Sequence, residues 1–188
     1  YFKNELCQTT LKDEVRADTT LVKLSQLKPV FKNKGSVSAG NASSLNDGAA
    51  FLALASSDYI NANRIKPLAK ILSWSSSAGN PDYMGITPIT AIQKLTKKMS
   101  VNISYFDLIE INEAFAATSV AVQRSLKIDP NKLNIAGGAI ALGHPIGCSG
   151  TRIVTTLAHQ LKRTKQKMGV ASMCIGGGQG LAMAIEKL

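Results

Sequence analysis

The chain predicts an α/β protein, a mixed sheet of five strands with helices on both of its faces. Three observations carry this reading. Short apolar runs of strand length alternate with segments whose apolar residues recur at the helical period. The last two runs flank a glycine-rich turn and so close an antiparallel pair. With 45% apolar and 18% charged residues among 188, the chain has the composition of a globular domain and is too apolar for a disordered one.

The elements follow in order. Residues 1–35 are polar and lysine-rich, with Asp13-Glu14 and a Leu21-Val22-Leu24-Leu27 run ending at Pro29, and read as a loop or helical arm outside the core. From Ser36 the small polar stretch Ser36-Val37-Ser38-Ala39-Gly40-Asn41-Ala42-Ser43 leads towards the apolar run Ala49 to Ala55, which reads as a buried strand. Pro67 to Trp74 is a second strand, and Ala91, Ile92, Leu95 and Met99 mark a helix after Pro88, a residue suited to a first helical turn. Tyr105 to Ile111 is the third strand and Ala114 to Leu126 the next helix. Asn112 sits at their junction, where sites are commonly carried. The stretch Asn134 to Gly150 holds Gly137, Gly138, Gly143, Gly147 and Gly150. The helix after it presents Ile153, Val154, Leu157, Ala158 and Leu161 on one face and ends in Lys162, Arg163, Lys165 and Lys167, cations that suit a helix C-terminus. Met168 to Ile175 and Leu181 to Ile185 are the last strands, about the turn Gly176-Gly177-Gly178-Gln179-Gly180.

Composition bounds the function. No run approaches the roughly 18 consecutive apolar residues of a membrane span, and the segment from Tyr1 to Glu5 has no signal-peptide core. A soluble, intracellular protein is expected, cytoplasmic unless an organellar leader precedes Tyr1. Cys7, Cys148 and Cys174 are odd in number and lack CxxC spacing, so reduced thiols are expected rather than disulfides or a zinc knuckle. His144 and His159 have no metal-binding context, and no metal is expected. A formal charge of +10 favours anionic partners. Aromatics are only 5% and scattered, which argues against a nucleic-acid stacking platform and leaves a phosphate-bearing small molecule or a merely basic surface.

The glycine-rich stretches fail as nucleotide motifs: neither ends in GK[ST], and Gly176-Gly177-Gly178-Gln179-Gly180-Leu181 lacks the last glycine of GxGxxG. His144 precedes Pro145, which disfavours helix at position 144. It is either a base projected from a tight loop or a loop histidine bonded to its neighbours. Cys174, at a strand end before three glycines, is either a proton-transfer thiol or an inert buried cysteine. Asn112-Glu113-Ala114-Phe115 also reads as a plain helix cap.

Taken together, Asn112-Glu113-Ala114-Phe115-Ala116, Gly143-His144-Pro145-Ile146-Gly147 and Cys174-Ile175-Gly176-Gly177-Gly178-Gln179-Gly180 stand in the order and at the spacing of the C-terminal half of the thiolase family, which the chain resembles. The likeness continues through Ala39-Gly40-Asn41-Ala42-Ser43, Asn46-Asp47-Gly48-Ala49-Ala50 and Met84-Gly85-Ile86, over essentially the whole chain. It implies a thiolase-like layered fold, with residues 1–35 the end of a loop region, 36–188 the C-terminal domain and the N-terminal domain absent. It also implies acyl transfer on coenzyme A thioesters by Claisen condensation or thiolytic cleavage, two acetyl-CoA giving acetoacetyl-CoA and CoA or the reverse. A degradative 3-ketoacyl-CoA thiolase and a non-catalytic CoA-binding module are the alternatives. In the roles the family implies, His144 activates the nucleophilic cysteine and later holds the thioester oxygen, and Cys174 shuttles the α-carbon proton. Asn112 positions a water, and the amide of Gly176 lines an oxyanion hole. Ser43 contacts the pantetheine arm, while Met84 and Phe115 flank a short acyl group. The CoA thioester is substrate and no cofactor is bound permanently. The expected partners are the missing N-terminal half, which carries the nucleophilic cysteine, and further copies in a dimer or tetramer; the isolated chain is expected to be inactive. Cys148 stands where the family has a small residue, and Ser44 replaces a usual glycine.

Overall fold

A computed structural model describes residues 15–188; Cys7 and Asp13-Glu14 lie outside the described residues. The arm carries one short helix, α1 (Leu21–Ser25), capped by the Thr20 hydroxyl, and α2 (Ser57–Ala62) follows, capped by Ser56. Neither buries a residue. The remaining elements are β1 (Ala69–Ala78), α3 (Thr87–Met99), β2 (Leu108–Ile111), α4 (Ala116–Leu126), α5 (Ala139–Leu142), α6 (Ile146–Arg163), β3 (Met168–Ile175) and β4 (Gln179–Lys187).

The strands form one mixed sheet in the order β1-β4-β3-β2. β1 and β3 both pair antiparallel to β4, while β2 runs parallel to β3, with Ile111 opposite Ser172. Because side chains alternate across a strand, the sheet buries two separate faces. Ile92 and Leu95 of α3 and Val122 of α4 meet Ile109, Ile111, Val170 and Ala184 on one side. Ile153, Leu157 and Leu161 of α6 meet Leu108, Ala171 and Ile185 on the other. The four-residue spacing from Ser149 through Ile153, Leu157 and Leu161 makes one buried stripe along α6. Fully burying each leucine there contributes about 1.5–3 kcal/mol.

Helices thus cover both faces, as expected, but the described residues form four strands instead of five. The run Ala49 to Ala55 is irregular and exposed, with Phe51 at 87% and Leu54 at 77% of full accessibility. A strand needs a neighbour to take its backbone hydrogen bonds, and the described sheet sets none beside this run. The boundaries move for local reasons. β1 starts at Ala69, two residues after Pro67, and the 3₁₀ turn Ile103–Tyr105 takes the first residue expected in β2. The segment from Asn112 to Phe115 stays outside α4, with Phe115 extended at its N-cap. α6 starts immediately after Pro145, so Gly147 and Gly150 lie within the helix.

This topology sets the site. Parallel β2 and β3 end on the same edge, where the Asn112 amide donates to the Ser172 carbonyl at 3.0 Å. α6, packed across both strands, begins with the His144 loop.

Candidate active site

His144 stands between two helices that hold its backbone. Gly143 ends α5 with φ +96°, and its amide donates to the Ala139 carbonyl at 2.8 Å. A β-carbon at position 143 would collide with the Asn46 side chain, so glycine is required both by conformation and by space. The His144 amide donates to the Ser44 carbonyl at 3.0 Å, which pins the loop to the segment at 43–48. The half-buried imidazole makes two polar contacts: Nε2 lies 3.3 Å from Nδ2 of Asn112, and Nδ1 lies 2.6 Å from the Ser149 hydroxyl on the first turn of α6.

Asn112 is wholly buried, and its Oδ1 has no hydrogen-bond partner among the described residues. A buried amide oxygen of this kind calls for a hydrogen-bond donor beyond them. Next to it, Glu113 accepts from Asn134 Nδ2 at 3.0 Å and from the Ile140 amide at 3.2 Å. Asn134 in turn bonds both the amide and the carbonyl of Ile111, at 2.8 and 2.9 Å. These contacts tie the end of β2 to the α5 segment that leads into His144. Nothing in the spacing of Glu113 and Asn134 announces this network.

Cys174 lies opposite Gly180 in the β3–β4 hairpin, two residues beyond Ser172, whose carbonyl accepts from the Asn112 amide. It is buried, and burial pushes its thiol above the ordinary range, with its own backbone hydrogen bond opposing this. The resting group is therefore the neutral thiol. Gly176 sits in the exposed turn that follows, with nothing within 4 Å of the place a β-carbon would occupy. A ligand can thus approach its backbone closely. The left-handed Gly178 is packed against the Gly79 carbonyl and fixes the turn on β1.

Ser43 joins its amide and its hydroxyl to the Ala114 carbonyl, each at 3.0 Å, and Ala116 donates to Asn41 at 2.8 Å. The 41–43 strap therefore runs alongside the segment that carries Phe115. Phe115 lines an apolar cavity of about 420 Å³ with Phe31, Val37, Tyr83 and Ile86. Phe31 meets Phe115 edge to face, ring centres 6.0 Å apart. Met84, on the turn Pro81–Ile86, is half-buried and stands between two lining residues without lining the cavity itself. The arm thus supplies an aromatic residue to the site, which its polar composition did not announce.

Two charged residues dominate the local field. Glu110 is 2% exposed, and burial raises its carboxyl to about 7, against the opposing pull of Arg152 and with a smaller push from Glu113. Desolvation lowers the basicity of His144, and the Arg152 guanidinium lowers it further. His144 is accordingly a neutral imidazole at physiological pH, able to accept a proton. Among the described residues no group of three or more histidines, cysteines or carboxylates could hold a metal ion, and no helix is long and apolar enough to cross a membrane.

Comparisons with known proteins show which family the chain resembles. The family described as "Thiolase, C-terminal domain" matches residues 65–187, and "Thiolase, N-terminal domain" matches residues 2–58. A mitochondrial 3-ketoacyl-CoA thiolase of Rattus norvegicus is 48% identical over 180 residues, 95% of this chain and 45% of its own. The crystal structure of the Bacillus anthracis acetyl-CoA acetyltransferase superimposes with a TM-score of 0.92 at 49% identity, covering 94% of this chain and 45% of that one. The human mitochondrial 3-ketoacyl-CoA thiolase in complex with CoA does so with a TM-score of 0.87 at 43% identity, over 94% and 45%. The chain spans about half the length of the relatives it matches. With the C-terminal domain profile accounting for most of the sequence, this chain belongs to the thiolase family.

Proposed function

We propose that these residues serve a thiolase that joins two acetyl-CoA molecules into acetoacetyl-CoA and CoA, or runs the reverse cleavage. The observation that carries this reading is the 3.3 Å contact between Asn112 Nδ2 and His144 Nε2, at the end of β2, whose parallel neighbour β3 carries Cys174 one residue before its own end. Removing a proton beside a thioester carbonyl makes an enolate, so the chemistry needs donors for the oxygen and a separate group for the proton. In this reading His144 takes the proton from a nucleophilic thiol and later donates to the thioester oxygen. A water held by Asn112 completes that hole, and its unpaired Oδ1 suits the task. Cys174 exchanges the proton at the α-carbon, and the Gly176 amide serves the second hole. Ser43 and Phe115 flank the pantetheine and acyl end, with Met84 behind the cavity wall.

The acyl-accepting cysteine comes from a further thiolase segment in this reading. Cys148 is buried on α6, and Cys7, within the stretch that the N-terminal domain family matches, lies outside the described residues. In this reading the working protein is a homo-oligomer, and these 188 residues alone are inactive.

In the complete enzyme, His144→Ala lowers thiolytic turnover by roughly 10²–10⁴, the worth of a positioned proton-transfer group. Turnover within a factor of three of the parent would remove His144 from the mechanism. A second reading, cleavage of longer 3-ketoacyl-CoA, is favoured by the names of the rat and human relatives. Comparing kcat/KM for acetoacetyl-CoA and a long-chain 3-ketoacyl-CoA separates the two.

A further inference from the structure

We propose that Ser149 is a positioning residue that holds the His144 imidazole in its Nδ1–H tautomer and so keeps Nε2 bare on the side of Asn112. The inference rests on the reading of His144 as a base and deepens it, because a base needs its lone pair on one particular nitrogen.

The proton count leads to this assignment. A serine hydroxyl has a single proton. The Ser149 hydroxyl lies 3.0 Å from the Pro145 carbonyl one helical turn back, an oxygen that can only accept. Its proton goes there, so the hydroxyl presents a lone pair to Nδ1 at 2.6 Å, and Nδ1 must carry hydrogen. On the far side of the ring, the Asn112 amide nitrogen can only donate, and it faces Nε2 at 3.3 Å. That contact requires Nε2 to be bare. Two independent contacts on opposite ring edges therefore demand the same tautomer.

Burial makes the demand hold. Ser149 is 1% exposed, so water does not take its place at Nδ1. Ser149 is also placed rigidly, because its own amide donates to the Pro145 carbonyl at 2.9 Å as α6 begins. When Nε2 takes a proton from a thiol, the S–H bond breaks, an Nε2–H bond forms and the positive charge rests on the ring. The Nδ1–H bond to Ser149 is unchanged throughout. A neutral hydroxyl in this place orients the ring without the strong stabilisation of imidazolium that a carboxylate would give, in keeping with the lowered basicity of His144.

The test reads the tautomer directly. Long-range ¹H–¹⁵N correlation spectra of the ¹⁵N-labelled chain, with exposed His159 as internal reference, should show neutral His144 protonated at Nδ1. Ser149→Ala leaves only the Asn112 contact to oppose the Nε2–H form common in water, so a measurable share of that form should appear, and Ser149→Thr, which keeps a hydroxyl, should remove it. A parent with Nε2–H, or an alanine variant with an unchanged spectrum, overturns the proposal; if the alanine variant does not fold, the parent and threonine spectra decide. In the complete enzyme Ser149→Ala should lower kcat by roughly 10-fold or more with little change in KM, and threonine should recover most of it. Unchanged kcat in a Ser149→Ala enzyme that still depends on His144 overturns the positioning role. A His144→Ala enzyme that stays active instead sinks the function proposed above, and leaves the tautomer to be judged by its spectrum.

Discussion

The run from Ala49 to Ala55 and the strand β2 are both largely apolar, yet one is open to solvent and the other is sealed. Phe51 is 87% and Leu54 77% exposed, whereas all four residues of β2 are buried. The difference is not in side-chain chemistry. β2 has β3 alongside it, with α6 on one face and Phe106, Ile92 and Leu95 in the cluster on the other. The exposed run has no strand beside it among the described residues. Apolarity gives a segment something to bury, but the geometry of its neighbours decides whether the burial happens.

Deleting one ring from each region separates the two most clearly. Phe106→Ala should cost about 3–5 kcal/mol in urea unfolding, the usual loss for a buried aromatic. Phe51→Ala should stay within about 0.5 kcal/mol, as surface changes do. Equal losses would mean that the exposed run packs in solution.

A smaller effect tests what the sealed region hides. The carboxyl of Glu110 is raised by burial to about 7, above its usual 4.5, so its share of stability is fully present below 4.5 and is lost as pH rises through 7. That share amounts to up to about 3 kcal/mol between pH 5 and pH 8. Glu110→Gln should remove it, flattening the fall in urea midpoint over this range; an unchanged fall would place the titrating group elsewhere.

The smallest change concerns the open region alone. Ser56→Ala removes the hydroxyl that caps α2, worth about 1 kcal/mol to the helix itself. Because α2 buries nothing, helicity at 57–62 should drop by NMR chemical shift while the global midpoint moves by less than about 0.5 kcal/mol. A larger global loss would join α2 to the cooperative unit.

Much of the sheet was legible because its strands and helices carry clean periods. The stripe Ile153, Leu157, Leu161 names the buried face of α6, and the glycines at 176–178 mark the hairpin. The fifth strand was misread because a run such as Ala49 to Ala55 looks the same whether or not a neighbour covers it. The start of α6 was hidden by Gly147 and Gly150, which read as loop residues. At the site, His144, Asn112 and Cys174 could be found through their motifs. Ser149 could not, since its importance lies in a hydroxyl facing one ring nitrogen, and Arg152 acts through space on two groups that share no pattern with it. Phe31 was concealed by the lysines around it.

The pin between His144 and Ser44 has a mechanical meaning. It makes the uncovered apolar run an extension of the imidazole loop, with Asn46 wedged against Gly143 at the root of the lever. Phe51 and Leu54 thus stand on a chain anchored at the backbone of His144. A displacement of the exposed run is carried through Ser44 to the loop that holds the imidazole.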